Sequence, residues 1–307
     1  MSAVDAPVGS TEQVGPAEPA WAGSGSGVVL RRPSRVGARF MWSELGMVFR
    51  RRRNQVLLVV LAGIPVLIAV AVRMSSHPRR DAGDGPAFFG SIAGNGVFVA
   101  FAALTVTMGF FLPLAVSVTS GDAVAGEANL GTLRYLLVVP VSRTRLILVK
   151  YLGSVAYCVA AVFTVAAAGV VIGALLFPIG RVTLLSGTQV SLAEGLWRLL
   201  LVALYLSACL AALAAIGMFV STLTESPMAA MASTVVLALI SEVLDSVPQI
   251  SWLHPWLFSH YWLNFGDLLR DPIASAGIQK GLLAAGAYVV VAGTMAWARF
   301  AGKDVSS

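Results

Sequence analysis

The chain has 307 residues and carries 21 Lys and Arg against 15 Asp and Glu, a net charge of +6, yet only 12% of it is charged and 57% is apolar. Soluble domains carry roughly 25% charged residues, so this composition cannot cover a water-exposed surface, and it excludes an ordinary soluble enzyme. It also argues against nucleic acid as a partner. The cationic excess reads instead as membrane topology, because cytoplasmic loops collect Lys and Arg.

Residues 1–34, rich in Ala, Gly, Pro and Ser, lack the apolar mass to fold and read as a disordered tail. An amphipathic, interfacial helix is predicted over 35–53. Ala38, Met41, Trp42, Leu45, Val48 and Phe49 recur at helical spacing as one apolar stripe, and Arg50-Arg51-Arg52-Arg53 closes it with cationic heads.

Charge-free runs then follow at 54–72, 85–121, 151–180, 199–224, 226–241 and 281–298. A bilayer core of about 30 Å needs roughly 20 apolar residues as helix. The pattern predicts an all-α integral membrane protein whose transmembrane domain, 54–300, has six helices near 54–73, 93–117, 150–176, 197–221, 228–246 and 279–300. A short cytoplasmic tail, 301–307, ends the chain. With the N-terminus inside, 14 of the 21 Lys and Arg fall on inner segments, which favours both termini in the cytoplasm.

The second run is longer than a bilayer requires, and Pro113 near its inner end marks a candidate hinge. In the third span, Gly169 and Gly173 are spaced for close helix approach, with packing inside the chain the simpler use. Between spans five and six, 246–270 is too interrupted for a span and too aromatic for bulk water. Its Trp and Tyr residues suit short helices in the outer leaflet. Glu242 and Asp245 lie where span five reaches the outer side and are candidates for a gate or a substrate contact.

Catalytic signatures are missing. No phosphate-binding glycine loop precedes a Lys, so the chain is not expected to be an ATPase, and no cofactor or metal is assigned to it. Among the three histidines, His254 and His260 with Asp267 form a conceivable cation site, for which interfacial hydrogen bonding is the simpler reading. Cys158 and Cys209 fall inside spans and read as small apolar packers.

The informative stretch follows span two. Thr132 can cap a short helix, Leu133, Leu136 and Leu137 share one face, and Pro140 stops the element before Ser142 caps the next. An apolar-faced helix outside the membrane points to a protein contact rather than to a pocket. The residues Glu127, Gly131, Thr132, Leu133, Leu136, Leu137, Pro140, Val141, Ser142, Arg143 and Lys150 resemble the permease subunits of the ABC-2 class of ATP-binding-cassette transporters. The family pattern is Glu, Gly-Thr-Leu, Leu-Leu-x-x-Pro-Val-Ser-Arg and then Lys; here Ala128 and Asn129 are neutral where charges are common, and Val149 stands for a small residue.

The resemblance implies a cytoplasmic coupling helix at 127–139 that docks on a separate ATPase subunit, which would hold ATP and Mg. The coupling residues would be Glu127, Gly131, Thr132, Leu133, Leu136, Leu137, Pro140 and Arg143, with a smaller contact from the loop at 221–227 and Glu225. It further implies a bacterial cell membrane location, a second copy of the permease or a related one as partner, and export of a lipophilic or amphiphilic substrate such as a drug, peptide antibiotic or lipid. The competing readings are a membrane-embedded sensor or structural subunit moved by an ATPase without transport, and a stand-alone channel or secondary carrier.

Overall fold

A computed structural model describes residues 34–74, 95–129 and 143–302. The tail at 1–33, the coupling segment at 130–142 and the last residues from 303 lie outside the described residues, so Gly131, Thr132, Leu133, Leu136, Leu137 and Pro140 do too. The described helices, in chain order, are α1 (Ser34–Arg50), α2 (Arg52–Met74), α3 (Phe98–Met108), α4 (Phe111–Asn129), α5 (Arg143–Leu176), α6 (Leu192–Leu223), α7 (Pro227–Asp245) and α8 (Ser275–Ala301). A two-stranded antiparallel ribbon, Val182–Thr183 with Gln189–Val190, joins α5 to α6. Three 3-10 turns, Pro248–Ile250, His254–Trp256 and Trp262–Leu269, fill the interval between α7 and α8.

Five helices, α2 and α5 to α8, are long and apolar enough to cross a membrane, and α3 with α4 makes a sixth if that bent pair is one span. These are the helices of a multi-pass membrane protein. Burial separates their roles. In α6 67% of the most apolar window is buried, against 17% in α2. Thus α6 is the central helix, packed against α4, α5, α7 and α8, while α2 turns Val59 and Leu67 outward. Apolar side chains left outside protein need lipid rather than water around them.

The long second run is not one helix. It breaks at Gly109–Phe110, where α3 and α4 meet at 55°. Pro113 sits in the first turn of α4 and has no N–H to offer the carbonyl of Gly109, the residue four before it. The break therefore precedes the proline rather than falling on it, and the α-ladder resumes with Leu114 N–H donating to Phe110 at 2.9 Å. Helix α4 also runs on to Asn129, past the expected end of the second span at 117, so Glu127–Asn129, expected to open a separate coupling helix, are its last residues. Helix α5 is 34 residues long, about 51 Å, and starts at Arg143, well before the expected boundary at 150.

Helix α3 lies almost wholly inside the bundle, with Phe98, Phe101 and Leu104 buried. Its seat on α5 is backbone to backbone. A Cβ at Gly169 would stand 2.5 Å from Ala100 Cα, and one at Gly173 would overlap the carbonyl of Gly96. The Gly169 and Gly173 pair thus serves packing within the chain. Replacing Gly173 with Val should cost about 1–3 kcal/mol by forcing these helices apart, whereas Ala at Gly63, which meets nothing within 4 Å, should be neutral or stabilising. Thermal unfolding of both variants in one detergent checks this, and equal midpoints would contradict the close seat.

Candidate functional site

The charges of the described chain gather at the two ends of the bundle. At the end where α4 finishes and α5 begins, Lys150 is buried and shared by two buried carboxylates. It donates to Glu44 of α1 at 3.2 Å and to Glu127 of α4. Glu127 and Lys150, which bracket the segment 130–142 in sequence, are therefore in direct contact. The side chain of Glu127 is turned inward rather than offered to a surface.

A second cluster lies beside the first. Asp122 of α4 is buried and accepts from Arg51 and from Arg53, the latter at 2.9 Å. Together the clusters hold three cations and three carboxylates, of which the carboxylates and Lys150 are buried while Arg51 and Arg53 remain partly exposed. The Arg50–Arg53 run is thus divided: Arg51 breaks the chain between α1 and α2, and two of its four guanidiniums face Asp122. Asn54 completes the corner. Buried, its side-chain amide donates to the carbonyl of Val48 at 2.8 Å, while its backbone carbonyl accepts from Tyr157 at 3.2 Å.

The predicted apolar stripe of α1 needs correcting. Val48 and Phe49 do pack on the core, but Trp42 is 74% exposed and Glu44 takes the inward position. Seen along the helix, Glu44 follows Met41 by three and precedes Val48 by four, which puts it in line with the apolar face. An acid there implies a buried cation opposite. That signal was present, and the apolar count passed over it.

Helix α4 is also locked to α6. The Ser221 hydroxyl donates to the Gly121 carbonyl at 2.6 Å and accepts from Val124 and Ala125 N–H at 3.1 and 2.8 Å, inserting itself in the α4 ladder. Ser221 was expected in a loop but is buried inside α6; the turn to α7 is confined to 224–226, with Glu225 exposed. Arg143 opens α5.

At the opposite end, Asp245 rather than Asp267 faces the histidines. His260 Nδ1 lies 2.6 Å and His254 Nδ1 4.0 Å from Asp245 Oδ1, whereas Asp267 lies 3.4 Å from Arg270. Buried Arg198 binds this end together, donating to Glu194 at 3.0 Å and to the carbonyls of Leu268 and Arg270 at 2.9 and 2.8 Å. Glu242 and Pro113 line one small cavity at the α3–α4 break, with Phe110 and Trp262. The candidate hinge, expected near the inner end of its span, is therefore a neighbour of the candidate gate and lies away from the end that holds Glu127 and Lys150.

Residues 62–306 match the model of a family described as "Protein of unknown function (DUF2705)". The chain belongs to that family. The match takes in Asp122, Glu127, Lys150 and the Asp245 cluster and starts after α1, so Glu44, Arg51 and Arg53 lie before it. No match was found among curated proteins.

Removing Lys150 leaves Glu44 and Glu127 buried without their counter-ion, a loss of about 3–5 kcal/mol. Lys150→Met should lower the unfolding temperature sharply. The triple variant K150M with E44Q and E127Q should recover much of that loss. Equal destabilisation of the two variants would mean that the cluster does not act as a unit.

Proposed function

We propose that this chain is the membrane-spanning permease subunit of an ABC-2 type transporter, driven by ATP hydrolysis in a separate ATPase subunit. The observation that carries the reading is the Glu127–Lys150 contact. The segment resembling a coupling helix is flanked by two residues ion-paired to each other, and Lys150 extends the pairing to Glu44 on the amphipathic helix. A push on 130–142 would then reach α1, α4 and α5 together. On this reading both termini face the cytoplasm of a bacterial cell, the Lys150 end is the inner end, and a second permease completes the pathway.

A lipophilic or amphiphilic substrate suits the walls. A groove between α5, α6 and α8, of about 330 Å³, is lined by Ile147, Leu148, Tyr151, Met218, Val290 and Trp297 among others, with no charged side chain among the described residues. Its size is at the lower end of small-molecule sites. The Trp297 indole N–H on its rim is already used, donating to Thr144 at 2.9 Å.

In the proposed cycle, closure of the ATPase subunits draws the coupling segments inward and the helices rearrange to release substrate on the far side. The test is purification from native membranes together with neighbouring gene products. An ATPase should co-purify, and L136A/L137A should abolish that association while leaving the unfolding temperature unchanged. Proteoliposomes containing the complex should then move substrate on ATP addition. Association without flux would favour the sensor reading, and transport by the chain alone would overturn the proposal.

A further inference from the structure

We propose that Asp245, His254 and His260 form a binding site for a divalent first-row transition ion of the zinc class. Their donor atoms lie within 4.8 Å of one another, although the three residues come from the last turn of α7 and from the turns that follow it. Two imidazoles and one carboxylate suit zinc, nickel or copper, whereas calcium and magnesium take oxygen donors.

The orientation of the rings supports the assignment. His254 Nε2 lies 3.1 Å from the carbonyl of Val247. A carbonyl only accepts, so Nε2 carries the proton and the lone pair of neutral His254 sits on Nδ1, directed toward Asp245. A histidine whose outer N–H is held by a carbonyl is the usual supporting arrangement of a metal ligand. Nδ1 of His254 and Oδ1 of Asp245 are both acceptors, 4.0 Å apart. That spacing is too long for a hydrogen bond, and around a shared tetrahedral cation at about 2.0–2.1 Å from each the pair would close to about 3.3 Å.

His260 Nδ1, at 2.6 Å from the same oxygen, shares a proton with it. The metal takes the place of that proton, and the pair opens toward the edge of a tetrahedral site, about 3.3 Å. The side chains are 17% to 33% exposed, which leaves an entry path, and a water would serve as the fourth ligand. Bound there, the ion would clasp α7 to the segment that caps this end of the bundle. That segment is already tied down by Tyr205, which donates to the Tyr261 carbonyl at 2.6 Å, and by the Ser241–Ser259 pair at 2.6 Å.

The full chain, purified in detergent with its affinity tag removed and stripped of metal, is titrated with Zn²⁺ against a chromophoric chelator. One equivalent should bind and raise the unfolding temperature, while Mg²⁺ should do neither. The variant H254A/H260A should bind at least about tenfold more weakly and lose the thermal increment, and Glu242→Gln should keep both. D245N is the second variant should the double one not fold. Failure of the wild type to bind one equivalent, or equal affinity in wild type and D245N, would overturn the site.

Discussion

A single buried ammonium shared by two carboxylates constrains this end of the bundle. Lys150 cannot reach water, and an uncompensated ion in such a place costs several kcal/mol. Glu44 and Glu127 must therefore stay beside it, which obliges α1, α4 and α5 to converge. The packing conforms: α1 crosses α5 at Gly153, where a Cβ would stand 3.5 Å from Glu44 and from Val48, at ordinary contact distance. Lipid outside the helices provides no substitute counter-ion, so the geometry of the three helices and the pairing of their charges are one constraint.

The same economy explains where the second run breaks. Helix α3 is seated against α5 through Gly96 and Ala100 and cannot slide without backbone collision. Helix α4 is held at its other end by Asp122, Glu127 and the Ser221 insertion. Between two fixed ends the misfit in direction has to be absorbed, and Pro113 denies the ladder a bond at that point. The outcome is the 55° bend, with Glu242 lining the cavity beside it.

Much of the helical layout could be read from runs without charge, because an apolar surface facing lipid is the same physical requirement at every span. The ends were harder. Helices α5 and α6 continue beyond the bilayer requirement, and nothing in composition marks a boundary where a helix simply continues into water. The break in the second run left a trace only in Pro113, displaced by a turn. Glu44 was hidden because a short helix with Trp42 and Met47 on its outer side has no clean apolar face. The acid partnering His254 and His260 was misplaced for another reason. Asp267 and Asp245 are comparable in sequence distance, and only the turns after Pro248 fold the histidines back onto α7. Turn chemistry of that kind depends on tertiary contacts that periodicity does not carry.

Under the proposed function, these restraints also dictate where motion can appear. A displacement of 130–142 enters α4 and α5 at once, since they flank it, and the Glu127–Lys150 pair opposes their sliding past each other. Glu44 adds α1 to the moving body, and the Ser221 hydroxyl, bonded within the α4 ladder, adds α6. Helix α4 is about 28 Å long and uninterrupted above these attachments. Packed helices are bistable rather than continuously deformable, so the load passes to the nearest place where backbone bonding is already incomplete. Along this line that place, among the described residues, is Gly109–Phe110. A push at the ionic end should therefore emerge as a change in the α3–α4 angle beside Glu242 and Trp262, close to the far end of α7, and not as shear between α4 and α5.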